Sequence, residues 1–196
     1  MTDKEWDMLL GIRTGGRDDS RADNFRYPYE PTPYCVLERL AGTGLITRQD
    51  HLLDYGCGKG RVGFYLSWQT RCRSTGIDYD SRLLDKALEN RQKAVSGGRT
   101  QFILSQAETF RVPADTNRVY FFNPFSVQIL VRALGRIRAS WYEAPRRILL
   151  FFYYPSDEYM PALMAEDLLD FYDSIDCRDL FPGDPREEIL VFSMGR

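Results

Sequence analysis

Histidine is nearly missing from this chain: His51 is the one example in 196 residues. The four cysteines, Cys35, Cys57, Cys72 and Cys177, are scattered without any Cys-x-x-Cys pair. A cysteine–histidine zinc site is therefore not expected, and reduced cytoplasmic thiols are the simpler reading. Long apolar runs are also missing. No stretch approaches the roughly 20 apolar residues of a membrane span, and MTDKEWDMLLGIRTGG lacks the basic start and apolar stretch of a secretion signal. An excess of one charge is missing too: the formal charge is −2, so the whole-molecule field gives nucleic acid no general attraction, although a local basic patch stays open. Repeats and low-complexity tracts do not occur. A soluble, cytoplasmic protein is expected.

What is present reads as one globular domain. The hydrophobic share of 43% and the charged share of 28% are ordinary, and this length buries about 70% of the unfolded surface. Residues 12–31 are rich in Arg, Asp, Gly and Pro and read as a mobile arm, which Pro31 and Pro33 close. A helix is expected from Pro33 to Leu40, with Val36, Leu37 and Leu40 on one side. The boundary between arm and main domain is set at residue 50, giving 1–50 and 51–196.

From residue 51 onward, short apolar runs recur at 51–55, 73–77, 101–104, 118–122, 147–153, 169–177 and 188–193. Helix-period segments lie between the early ones. Residues 80–95 align Leu84, Ala87, Leu88 and Val95, and residues 126–139 align Val127, Leu130, Val131, Leu134 and Ile137. Strands alternating with helices predict an α/β fold with a mostly parallel, doubly wound sheet. The last two runs are joined by Phe181-Pro182-Gly183-Asp184-Pro185, too short for a crossover helix, so an antiparallel terminal hairpin is expected.

The densest signal is LLDYGCGKGRVG at 52–63. An apolar run ends in Asp54, a turn with Gly56, Gly58 and Gly60 follows, and a helical pattern starts at Arg61. Glycines between a strand and a helix let backbone N–H groups come close to a nucleotide-type ligand. The nicotinamide fingerprint would need a third glycine at position 61, which is arginine. A second acid, Asp78 in GIDYD, follows at about the twenty-residue spacing of a carboxylate that accepts from ribose hydroxyls. A bland alternative exists for each part. The glycines could make only a tight turn, Asp78 could simply neighbour the helix cap formed by Asp80 and Ser81, and Glu108 could be a solvated acid.

Taken together, DYGCGKG and GIDYD resemble the first motif and the ribose-binding acid of class I S-adenosylmethionine-dependent methyltransferases. SQAETF (105–110) is similar to their adenine-bordering segment, and FFNPF (121–125) stands where their fourth strand reaches the methyl group. The resemblance covers roughly residues 45–196. It implies a Rossmann-like, seven-stranded sheet in the order 3-2-1-4-5-7-6, with S-adenosylmethionine as cofactor and no metal. It also implies that Asp54, Gly56, Gly58, Gly60, Asp78, Tyr79, Ala107, Glu108 and Asn123 hold that cofactor. YEPTPY together with DYGCGKGR is similar to bacterial methyltransferases grouped with non-SET protein-lysine methylases, which ranks a protein amine first among acceptors. RNA, a small molecule, or a non-catalytic partner role are the alternatives.

Methyl transfer from a sulfonium is an in-line displacement, so alignment and exclusion of water matter more than strong acid–base groups. Asn123, with a carbonyl that could accept from a substrate amine, and Tyr29 are the candidate catalytic residues. Asn123-Pro124-Phe125 lacks one proline of the family's amino-methylating motif, and it could equally be a rigid turn before a helix capped by Ser126. Tyr27, Tyr29 and Tyr34 could close a lid whose ring faces suit a cation, with Glu30 and Thr32 near the methionine end of the cofactor. They could equally staple the arm to the sheet, and Tyr153 and Tyr154 share that ambiguity. Arg132, Arg136, Arg138, Arg146 and Arg147 read as a solvated face, with an anion-binding patch as the other option. His51 is expected to be structural, and Cys57 to fit the glycine loop as a small side chain.

Overall fold

A computed structural model describes residues 1–195. One mixed sheet organises the chain. Its strands are β1 (His51–Tyr55), β2 (Arg73–Asp78), β3 (Thr100–Leu104), β4 (Arg118–Phe122), β5 (Ile148–Tyr153), β6 (Leu169–Asp176) and β7 (Glu188–Met194). The order is β3-β2-β1-β4-β5-β7-β6, the one the family resemblance implied. Strands β1 to β5 pair in parallel, and β7 runs antiparallel to both β5 and β6. Every strand lies within two residues of its expected run.

The central strands are apolar at consecutive positions because both faces are covered. Leu52, Tyr120 and Phe151 belong to one core, while Leu53, Phe121 and Phe152 belong to the other. Helices α1 (Asp3–Leu10), α2 (Tyr34–Gly42), α3 (Arg61–Gln69) and α4 (Ser81–Lys93) contribute side chains to the first core. Helices α5 (Val127–Glu143) and α6 (Tyr159–Met164) complete the second. Phe121 stacks between Tyr55 and Phe152, at centroid distances of 4.9 and 4.7 Å. That aromatic column braces the ends of β1, β4 and β5, where a ligand of an open α/β sheet binds.

Several expectations need correction. Helix α1 was not anticipated, although Thr2 and Glu5 form a reciprocal capping box and Gly11 ends the helix in the left-handed region at φ 72°. Its Trp6 packs against Tyr34, Tyr65 and Trp68. Helix α6 was missed as well, being only six residues long with Pro161 in its first turn. Leu88, Val95 and Val131 are exposed rather than core, because helical spacing alone does not tell the edge of an apolar stripe from its centre. Ser126 occupies the N-cap of α5, but its buried hydroxyl makes no hydrogen bond. No helix among the described residues is long and apolar enough to cross a membrane.

The stretch 12–31, expected to be a mobile arm, lies fixed across the C-terminal ends of the strands. Tyr27 N donates to Pro124 O (3.2 Å), and Ser126 N donates to Phe25 O (2.8 Å). Asp18 and Tyr29 exchange backbone hydrogen bonds at 3.0 and 2.8 Å. The polar composition that suggested mobility serves these contacts instead.

Candidate active site

The site is built on the ends of β1 and β2. Asp54 sits beside Gly76 of β2 on one side and Tyr120 of β4 on the other. Its Oδ2 is buried without a hydrogen-bond partner. Burial, reinforced by the neighbouring charge of Asp78, pushes its carboxyl up to about 8. Asp78 ends β2, where its Oδ2 accepts from Gly58 N at 2.8 Å and its Oδ1 from Asp80 N at 2.9 Å. Burial raises its pKa, although those two bonds pull the other way. Two buried neighbouring acids thus have no ion-pair partner among the described residues, an arrangement that favours a ligand carrying positive charge and hydroxyl donors.

The glycine turn is held by its own sheet. Gly56 N and Cys57 N both donate to Ile77 O, Gly60 N donates to Cys57 O, and Gly58 N donates to Asp78. The expectation that these N–H groups point at a ligand is therefore corrected: the turn uses them to fix its shape. Glycine is required here for conformation and close approach. Gly58 has φ +52°, and a Cβ there would lie 2.1 Å from the ring of Tyr29. At Gly60, φ is +88°, and a Cβ would meet the ring of Phe102 at 2.6 Å.

The arm roofs this cleft. Tyr29 lies on Gly58, donates its hydroxyl to Thr14 O (2.6 Å) and carries the Lys59 ammonium 4.8 Å above its ring. Burial raises the Tyr29 pKa, so the phenol stays protonated and acts as a donor. Tyr79 donates to Arg21 O (2.7 Å), and the Arg26 guanidinium stacks 4.8 Å from the Tyr79 ring while pairing with Glu108 at 3.4 Å. Buried Arg61 pins the start of the arm, donating to Thr14 Oγ1 (2.7 Å) and Thr32 O (3.1 Å) and pairing with Asp3. The bridges from Arg26 and Arg61 were not anticipated; for Arg26 the available signal was an arginine three residues after Asp23 in a polar arm, whereas Arg61 follows the glycine turn with no acid beside it.

Asp54, Gly56, Asp78, Tyr79, Ala107, Glu108 and Tyr29 all line the same cleft, with Thr32 and Tyr120 at its inner end. Gly58 and Gly60 lie beneath and do not line it. Asn123 lines a second cavity that shares Tyr27, Pro28, Glu30 and Phe122 with the cleft. Its backbone is left-handed at φ 37°, unusual for a non-glycine residue, and its buried Oδ1 makes no hydrogen bond.

Other candidates have structural roles. His51 contacts Asp115 Oδ1 at 3.0 Å and Thr75 Oγ1 at 2.9 Å. Arg146 donates to the carbonyls of Ser140, Ala144, Thr116 and Pro113, tying off the end of α5. Arg138 pairs with Glu166, and Arg147 lies over Tyr172. The basic cluster is therefore largely tied to protein partners.

Comparison with known proteins agrees with this geometry. Residues 52–140 match the family model described as a methyltransferase domain. A solved RNA methyltransferase from Salinibacter ruber, in complex with S-adenosyl-L-homocysteine, superimposes with a TM-score of 0.60 at 17% identity, over 85% of this chain and 95% of that one. A TehB-like SAM-dependent methyltransferase from Corynebacterium glutamicum gives 0.59 at 19% identity, covering 82% and 88%. At these identities the likeness establishes the fold. A curated protein-lysine N-methyltransferase from Saccharolobus islandicus is 27% identical over 77 residues, which is 39% of this chain. The chain spans about half the length of that relative, 48%. Residues 52–140 thus match a methyltransferase domain, on a sheet whose strand order is the one the resemblance to class I, S-adenosylmethionine-dependent methyltransferases implied.

Proposed function

We propose that the chain transfers a methyl group from S-adenosylmethionine to a protein amine. The observation that carries the cofactor half is the pair of buried acids in the roofed cleft, with Asp54 Oδ2 unpartnered. A cofactor bearing an α-ammonium, a sulfonium and a ribose fits that donor set. Asp54 would face its positive charge, and Asp78, with lone pairs left on both oxygens, would accept from the ribose hydroxyls. Tyr79, Ala107 and Glu108 would border the adenine. Gly56, Gly58 and Gly60 shape the floor, and Tyr29 with residues 12–31 forms a lid that excludes water. When bound, the cofactor supplies an electrophilic methyl carbon and a neutral thioether leaving group. The chain's own task is to orient the acceptor, for which the carbonyl of Asn123 is the candidate catalytic acceptor of an N–H bond.

Two points support an amine in a protein as the acceptor: the name of the curated relative, and the cavity at Asn123, whose lining includes Glu30 and Glu187. The test is transfer of tritiated methyl from S-adenosylmethionine into fractionated lysate. Protease-sensitive, RNase-resistant label is the expected result; RNase-sensitive label would replace this reading with RNA methylation.

A further inference from the structure

The cavity beside Asn123 has a chemistry distinct from the cofactor cleft, with a volume of about 530 Å³. Three separate parts of the chain supply its walls. The end of β4 gives Phe122 and Asn123, the end of β5 gives Tyr153 and Tyr154, and the β6–β7 loop gives Phe181 and Glu187. Tyr27 and Glu30 from the arm close the side that it shares with the cleft. Aromatic rings thus surround a space whose charged groups are two glutamates and one arginine. That arginine, Arg17, is exposed and turned onto Glu30 at 3.5 Å. Glu187 has no ion-pair partner among the described residues; its Oε2 accepts from the Tyr153 hydroxyl at 2.6 Å. Burial and that bond to a carboxylate raise the Tyr153 pKa, so its proton stays on the phenol oxygen, which donates to Glu187. Arg186, next in sequence, is engaged elsewhere: its guanidinium stacks 4.3 Å from the Tyr154 ring and pairs with Asp184 at 3.6 Å.

We infer that this cavity takes the alkyl-ammonium side chain of a lysine presented by a partner protein, with Glu187 as the anion that recognises its charge. The inference rests on the methyltransferase reading above. Ring faces favour a cation, and a carboxylate oriented by one phenol has lone pairs left for N–H donors. The cavity shares the wall formed by Tyr27, Pro28, Glu30 and Phe122 with the cofactor cleft. Tyr153 is a positioning residue that holds Glu187, while the unpartnered Asn123 Oδ1 accepts from the same nitrogen nearer the reaction. An ammonium has no lone pair, so the acceptor nitrogen first gives one proton to the Glu187 carboxylate and from there to water. The freed pair forms the new nitrogen–carbon bond as the carbon–sulfur bond breaks. The electrons of that bond stay on sulfur, and the methylated amine carries away the positive charge.

The test uses the full chain, saturated with S-adenosyl-L-homocysteine, and n-butylammonium as the probe, with uncharged n-butanol as its control. Binding is read by NMR titration. n-Butylammonium should bind about ten-fold more tightly than n-butanol, and Glu187→Gln should erase that preference through loss of a charge-assisted contact. Affinity for S-adenosyl-L-homocysteine should stay within about two-fold of wild type in that variant. Phe181→Leu keeps the apolar volume but removes a ring face. It should weaken the ammonium alone by about two- to five-fold, which provides an independent reading should Glu187→Gln not fold. Equal binding of the two probes, or an unchanged preference in the variants, overturns the inference. Failure of wild type to bind S-adenosyl-L-homocysteine counts against the methyltransferase reading instead, and the probe titration is then read on the protein alone.

Discussion

The two hollows at the same end of the sheet are built in opposite ways. The cleft over β1 and β2 is made by residues close in sequence: Asp54 to Gly60 form one turn, and Asp78 reaches back to bond Gly58 across twenty positions. The cavity over β4 and β5 draws on residues 27, 122, 153 and 187, which only the folded sheet brings together. The first is rigid and acidic, with its N–H groups tied to the protein. The second is aromatic, has one unpaired carboxylate, and is bounded by loops. A shared cofactor chemistry suits the invariant geometry of a local turn, whereas acceptor choice suits walls from several loops that can vary independently.

The largest effect should come from Gly58→Val. Its side chain would enter the ring of Tyr29 in a backbone region that valine avoids. Cofactor binding should fall below detection by calorimetry, and cleavage in residues 12–31 by protease should rise because the lid is displaced. A variant that still binds with an intact lid would show that the turn and roof are not coupled. Asp78→Ala comes next. Loss of charge-assisted hydrogen bonds should weaken cofactor binding by about 1.5–3 kcal/mol, and unchanged affinity in a folded variant refutes the ribose assignment.

Asp54 separates the cleft from the cavity by pH. Its carboxyl titrates at about 8 in the folded chain against 3.8 for an ordinary one. Between those values the folded state holds a proton that the unfolded state has released, so this contribution is fully present below pH 3.8 and lost as pH rises through about 8. Asp54→Asn should remove a slope of up to about 1.4 kcal/mol per pH unit, measured as the difference in denaturant stability between wild type and variant at several pH values. Parallel stability curves for the two proteins would contradict the raised value. The smallest effect is expected from Tyr29→Phe, which loses the 2.6 Å bond to Thr14 O and keeps the ring on Gly58. About 1 kcal/mol of stability should be lost. Cofactor affinity should drop only slightly if Tyr29 acts as a lid, and catalysis should collapse if its hydroxyl takes part in chemistry.

The same contrast explains what could be read in advance. Strand positions were legible because short runs such as β1 and β4 are apolar, covered on both faces and separated by helical periods, whereas the sheet order followed from the family resemblance. The cleft was legible because its acids and glycines lie at fixed short spacings. Helix α1 was hidden, since its apolar face is little more than Trp6 and Leu10 against a polar background. The fixed course of residues 12–31 was hidden for another reason. Its order comes from Arg26 meeting Glu108 and from Arg61 meeting Thr14 and Thr32, contacts across 29 to 82 positions that no local pattern encodes. The partnering of Glu187 with Tyr153 is of the same kind.

The central claim is that the paired acids of the cleft bind S-adenosylmethionine, and titration calorimetry at pH 7 in two buffers of different ionisation heat tests it most directly. The account predicts one site for S-adenosylmethionine, none for NAD, and a buffer-dependent heat as the cofactor's positive charge displaces the proton from Asp54. Absence of binding heat with S-adenosylmethionine, or equal binding of NAD, would contradict it.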